Sequence, residues 1–202
     1  MDAYLTIEKP AEGIYRDKGS RFLAFGFPVE REEEVKEILD GIRKKYHDAR
    51  HHCYAYRLGS RKDIFRMNDD GEPSGTAGKP IYGQLISHDL TNVLVVVVRY
   101  FGGTLLGTGG LIIAYRSATA DMLSHAALVT RHVEVKIEIS FPYTAMSQVM
   151  KILKEEALVP ANADYGTDCS MVLKVRVEML NRMLDRLHAV PGMKSIHEKF
   201  GD

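Results

Sequence analysis

The sequence predicts an α+β protein in two domains, divided near residue 128. Three observations carry that prediction. Strand-like alternation and helix-like periodicity are mixed along the whole chain. Residues 93–98, VLVVVV, form an apolar run suited to a strand covered on both faces. After residue 128 the pattern restarts with HVEVKIEISF, an alternation without error, and a second series of strands and helices follows.

In order, the first domain opens with strands at Tyr4–Ile7, Ile14–Tyr15 and Arg21–Val29. Arg31–Tyr46 places Val35, Ile38, Leu39 and Ile42 at helical spacing. Its acidic start, Glu32 to Glu34, and basic end, Arg43 to Lys45, suit the helix dipole. Cys53–Leu58 and Ile64–Met67 read as paired strands around Gly59–Lys62. Thr76–His88 is expected as a helix in spite of Pro80, Val93–Tyr100 as a buried strand, and Leu106–His125 as a long helix starting inside a glycine-rich segment. In the second domain Val133, Val135, Ile137, Ile139 and Phe141 share one strand face. Pro142–Glu156 is helical, with Ala145, Val149, Ile152 and Leu153 inward. Strands near Leu158–Tyr165 and at Cys169–Val177 flank a turn at Gly166–Asp168. A helix with Leu180, Met183, Leu184 and Leu187 on one stripe, then a strand at Met193–Phe200, complete a βαββαβ order, the split-βαβ or ferredoxin-like plan.

Composition narrows the function classes. The chain carries 27 basic and 27 acidic residues, so it is no general polycation. A local basic stretch does exist between Arg43 and Arg66, opposed only by Asp48 and Asp63. No window is apolar enough for a membrane span, and MDAYLTIEKP lacks the regions of a signal peptide; the expected location is cytoplasmic, without membrane contact. Cys53 and Cys169 lie far apart and fit no zinc or disulfide framework.

Two segments invite chemistry. Residues 99–115, RYFGGTLLGTGGLIIAY, hold five glycines between positions 102 and 110. A helix start with exposed N–H groups attracts anions. Yet Thr108 stands where a Walker loop needs lysine, and the third glycine of a dinucleotide pattern falls on Ile112. Tight packing and an anion site stand on even terms here. Residues 68–80, NDDGEPSGTAGKP, are rich in turn formers. Calcium-loop spacing is absent, Ser74 is one position off a nucleophile elbow, and Pro80 replaces the hydroxyl residue of a phosphate loop. His47-Asp48-Ala49-Arg50-His51 has two histidines four apart, but Asp replaces the glutamate of a zinc helix and the helical pattern is fading. His51, His52 and Cys53 lack a visible activator. Lys174 and Arg176 stand on a strand without aromatics, unlike an RNA-recognition motif. No catalytic set, metal or cofactor is expected.

Four blocks occur in order: KGSRF at 18–22, A-x-H-x-C-x-A-Y at 49–56, DDGEPSGTAGKP at 69–80, and RYFGG at 99–103 followed by G-x-G-G-L at 107–111. Together they resemble the IMPACT/YigZ family, in its bacterial form. The resemblance implies a domain of the ribosomal protein S5 domain 2 type over residues 1–128. It also implies a ferredoxin-like domain over 129–202, similar to the C-terminal domain of elongation factor G. Eukaryotic members regulate translation through an additional RWD domain, for which no room is expected before residue 18.

The function so implied is a non-enzymatic, translation-associated regulator or binding protein that contacts RNA or the ribosome through its glycine-rich face. A protein partner is left open, and no DNA sequence specificity is expected. The alternative is an enzyme or sensor that holds a phosphorylated or nucleotide ligand in the same glycine loop. GHMP-type kinases share the implied N-terminal fold, although Gly110 and Leu111 stand where their loop has hydroxyl residues. The loops at 69–79 and 102–110 are expected on one face. Lys18, Arg21, His51, Lys79, Arg99 and Arg116 are the cations around it, with Arg99 and Arg116 nearest the glycines. Ser74, Thr76, Tyr100, Thr104 and Thr108 are further candidates, with Gly102, Gly103, Gly107, Gly109 and Gly110. Asp69, Asp70 and Glu72 complete the set; a loop-holding network with Arg66 or Arg99 is preferred over a metal.

Overall fold

The structure, a computed structural model, describes residues 3–199. The described residues divide into two compact units, Ala3–Arg131 and 132–199. It is a mixed α and β protein with five helices among the described residues.

In the first unit, strands β2 (Ala11–Asp17), β3 (Ser20–Pro28), β4 (His51–Leu58), β5 (Ile64–Asn68) and β6 (Val93–Tyr100) form one sheet. Their order is β2-β3-β6-β4-β5, and every neighbouring pair is antiparallel. β6 therefore lies at the centre. Its alternate side chains enter two cores: Val93, Val95 and Val97 one, and Leu94, Val96 and Val98 the other. That is why its sequence is apolar on both faces, although the sheet is not parallel. Helix α1 (Glu32–Lys45) covers one face with Val35, Leu39 and Ile42, against Tyr54, Tyr56 and Leu58. Helices α2 (Gly78–Ser87) and α3 (Gly107–His125) cover the other. Pro80 is tolerated because it sits in the first turn of α2, where its missing N–H has no intrahelical partner to lose. Leu111, Ala114, Tyr115, Ala118 and Met122 form the buried stripe of α3. Gly13 of β2 lets that helix approach closely, since a Cβ there would stand 2.2 Å from the Met122 nitrogen.

A two-stranded sheet joins β1 (Ala3–Ile7) to β7 (Leu128–His132). The alternation read as one strand from His132 is interrupted: β7 ends at His132 and β8 begins at Glu134. Val133 and Val135 are accordingly only half-buried, whereas Ile137, Ile139 and Phe141 are fully inside.

The second unit runs β8 (Glu134–Pro142), α4 (Met146–Glu155), β9 (Ala161–Tyr165), β10 (Asp168–Arg176), α5 (Leu180–His188) and β11 (Ser195–Lys199). Its sheet order is β11-β8-β10-β9. Ile137 pairs with Leu173, Ile139 with Met171 and Phe141 with Cys169, so one sheet face and the inner stripes of both helices make a single core. Arg186 of α5 bonds both Glu155 and Glu156, and Arg182 reaches Glu156 at 2.7 Å. Phe200, expected in the last strand, lies outside the described residues. Among the described residues no helix is long and apolar enough to cross a membrane.

Candidate functional site

The acidic loop after β5 is held by its own carboxylates. Asp69 Oδ1 accepts N–H bonds from Ala77 and Gly78 at 3.0 and 2.8 Å, and Oδ2 accepts one from Gly75 at 2.8 Å. It thereby caps α2, which has no cap from its own N-terminal residue. Asp70 accepts the His52 N–H at 2.6 Å, and its carbonyl lies 2.7 Å from His51 Nδ1. Glu72 accepts from Arg99 Nη1 at 2.6 Å and from the Tyr115 hydroxyl at 2.8 Å, with side-chain exposures of 3% for Glu72 and 7% for Arg99. Thr76 is buried and bonds the Pro73 carbonyl, while Ser74 is exposed. Of the two arginines expected to serve these acids, only Arg99 does so; Arg66 stands on β5 opposite Tyr56.

Arg99 is therefore not a surface cation beside the glycines, as expected from sequence. It lies on the central strand, at the alternation that faces α2 and α3, and it is buried there. Its guanidinium also sits over the rings of Phe22 and Phe101, at 5.4 and 5.7 Å. One of its donors is both buried and without a hydrogen-bond partner, Arg99 Nε. Behind the pair, the Cys53 thiol lies 2.9 Å from the Asp69 carbonyl and 3.3 Å from the Tyr115 hydroxyl. Burial pushes the Cys53 thiol and the Tyr115 hydroxyl above their ordinary values. Neither is poised to ionise. We expect iodoacetamide to leave Cys53 and Cys169, both fully buried, unmodified in the native protein and to label both in urea. Rapid native labelling of Cys53 would contradict this packing.

The glycines separate into different tasks. Gly102 packs on the turn between β2 and β3: a Cβ would lie 2.0 Å from the Gly19 carbonyl carbon. Its N–H also donates to Ser20 Oγ at 3.1 Å. Gly107 takes φ +70°, the left-handed region that favours glycine, where the loop turns into α3. Gly109 has no heavy atom within 4 Å of a would-be Cβ, and Gly110 meets only the Leu106 Cβ at 3.0 Å. Leu106, which precedes the helix, gives no side-chain cap. The first turn of α3 thus presents its N–H groups with almost nothing around them.

A cleft of about 410 Å³ opens beneath that turn. It gathers five of the anticipated residues: His51 of β4, Arg99 of β6, and Glu72, Gly107 and Thr108 from the two loops and the start of α3. Gly103, Thr104, Gly109 and Gly110 belong to the same exposed loop and helix start. Lys18 stands on the neighbouring β2–β3 turn, Arg21 at the start of β3 and Tyr100, opposite it, at the end of β6. There Arg21 lies 5.0 Å from the Tyr100 ring, and the Tyr100 hydroxyl donates to Asp48 at 2.7 Å. Lys79 is exposed in the first turn of α2. Arg116 is exposed but does not line the cleft: nine residues after Gly107, it stands roughly 13 Å further along the helix axis.

Sequence reasoning passed over Arg50, Pro73, Phe101, Leu105, Leu106 and Leu111, which complete the cleft wall. Arg50 belongs to the basic stretch already noted. Phe101 and Leu105, 49% and 82% exposed, carried a signal of their own, as bulky apolar residues among glycines that do not enter the core.

The sequence profile of the Impact N-terminal domain matches residues 18–123. IMPACT family member YvyE of Bacillus subtilis is 32% identical over 195 residues, 96% of this chain and 90% of that protein. IMPACT family member YigZ of Escherichia coli is 32% identical over 167 residues, 82% of each. A crystal structure of a hypothetical protein matches with a TM-score of 0.74 at 27% identity, over 100% of this chain and 98% of that one.

Proposed function

The chain belongs to the IMPACT family, and from that premise we propose a non-enzymatic, translation-associated binding protein that contacts RNA, alone or in the ribosome, through the cleft under α3. Its compartment is the cytoplasm in this reading. The first unit is read as a domain of the ribosomal protein S5 domain 2 type. The second is read as ferredoxin-like, a reading supported by its βαββαβ order and β11-β8-β10-β9 sheet.

The observation that carries the proposal is the bare first turn of α3. Its uncapped N–H groups share a cleft with Arg50 and with Arg99, whose Nε is buried and unpartnered. Backbone N–H groups and a helix N-terminus favour phosphate, and the glycines let it approach the main chain. The acids that argue against a polyanion are already occupied: Asp69 and Asp70 by backbone N–H groups, Glu72 by Arg99.

Binding of ribosomes and of a structured RNA across a salt series tests this. Affinity is expected to fall as salt rises, with Arg50→Ala reducing both the affinity and the slope, and Arg116→Ala leaving them nearly unchanged. Absence of binding to either at low salt would end the proposal. Gly109→Ala gives a second reading of the same surface. Alanine is expected to raise stability by about 0.5–1 kcal/mol, because a helical glycine is replaced where space is open. Its methyl should at the same time weaken RNA binding. A variant that gains stability and keeps full affinity would take the phosphate away from this turn.

A further inference from the structure

We infer that the cleft receives one unstacked nucleotide of a single-stranded RNA, its base against Phe101 and Leu105 and its phosphate on the first turn of α3. This rests on the RNA-contact reading above and names what that contact holds.

A groove that only follows phosphates needs cations and N–H groups. This cleft has more. Pro73, Phe101, Leu105, Leu106 and Leu111 give it an apolar wall, with Arg50, His51, Glu72, Arg99 and Thr108 as its polar groups. Its volume of about 410 Å³ falls in the range of small-ligand sites and is far too small for a duplex. Half-exposed Phe101 and almost fully exposed Leu105 border it, offering a flat apolar moiety a platform.

Two polar observations point the same way independently of the helix start. Arg99 is more than nine-tenths buried, and its Nε has no partner, in the wall of this cleft. A buried donor without a partner in the chain is open to an acceptor from outside it, a water or a ligand oxygen. Glu72 already balances the guanidinium charge through Nη1, so the free donor suits a single oxygen of a base or phosphate. His51 supplies the opposite function. The Asp70 carbonyl can only accept, so Nδ1 carries the proton and donates to it at 2.7 Å. In the neutral imidazole Nε2 is then left as an acceptor on a residue of the cleft wall. Phosphate has no proton to give it at neutral pH, whereas a base amino group or a ribose 2′-hydroxyl does.

The experiment compares three probes by fluorescence anisotropy or competition at fixed salt: an eight-nucleotide single strand, a blunt RNA duplex, and a mononucleotide. Wild type, Phe101→Ala, Phe101→Leu and Leu105→Ala are used as full-length chains, with melting temperatures checked alongside. The single strand is expected to bind more tightly than the duplex. Phe101→Ala should weaken single-strand binding by about tenfold, the effect of one lost stacking contact, without changing the salt slope. Phe101→Leu should weaken it as well, because it keeps the apolar bulk and removes the ring. Duplex binding should not respond. If the wild type binds RNA and all three variants bind the single strand equally well, the nucleotide pocket is wrong while the RNA reading stands. If the mononucleotide binds as tightly as the single strand, the ligand is a free nucleotide, and RNA is excluded from the cleft. If wild type binds none of the three, both readings fall together.

Discussion

Replacing Arg99 by alanine is expected to destabilise the first unit by about 3–5 kcal/mol, the usual consequence of leaving one charge of a buried pair without its partner. Glu72 would keep its buried position and only the Tyr115 hydroxyl as a donor. The strain would not stay local. Glu72 belongs to the loop whose Asp69 caps α2, and Tyr115 belongs to the buried stripe of α3. Each unit has one buried cysteine, Cys53 in the first and Cys169 in the second. The urea dependence of their alkylation therefore reports the two units separately. Arg99→Ala should move the Cys53 midpoint strongly and leave that of Cys169 in place. The double variant Arg99→Ala/Glu72→Ala should cost less than the sum of the single ones, because it leaves no orphaned charge. A loss under about 1 kcal/mol for Arg99→Ala would mean that water reaches the pair. Loss of RNA binding by this variant would accordingly report a lost fold. Arg50 is the residue with which to probe binding.

How much of this was legible in the sequence follows from where the forces are local. Helix α1 could be placed because its apolar residues, Val35, Leu39 and Ile42 among them, recur at 3.6-residue spacing against polar neighbours. The strands of the second unit could be placed because one face is wet. The pairing of Arg99 with one of the loop acids was anticipated, but its burial was not. A charged residue at the end of an apolar strand looks like a surface residue until the distant Glu72 is known to be beneath the same helix. The cap that Asp69 gives to α2 was hidden for the same reason, since the acceptor lies nine residues before the Gly78 N–H instead of at the helix start. The break between β7 and β8 escaped because HVEVKIEISF begins on the last residue of β7 and alternates on into β8. Phe101 and Leu105 stood in plain view, but a glycine-rich segment draws attention to its backbone and away from the side chains between.

Gly102→Ala is expected to cost about 3 kcal/mol or to prevent the first unit from folding, since overpacking against backbone has no side chain to move aside. The added Cβ would stand 2.0 Å from the Gly19 carbonyl carbon and 2.2 Å from the Ser20 nitrogen. The turn itself has little freedom to retreat. Lys18 and Gly19 both have positive φ, at 43° and 79°, and Ser20 is fully buried. To make room, the loop after β6 must lift from the β2–β3 turn and break the bond from the Gly102 N–H to Ser20 Oγ. Because the same loop leads into α3, the cleft would deform with it. The Cys53 alkylation midpoint measures the cost. Gly109→Ala, seven residues on, is the control: it meets no atom within 4 Å and should stabilise. The opposite signs would show that one glycine run serves two purposes, packing at its start and access to the main chain at its end. If Gly102→Ala proves as harmless as Gly109→Ala, the turn at Lys18–Ser20 is not anchored on this loop. Lys18 and Arg21 would then lose their claim to a fixed place beside the cleft.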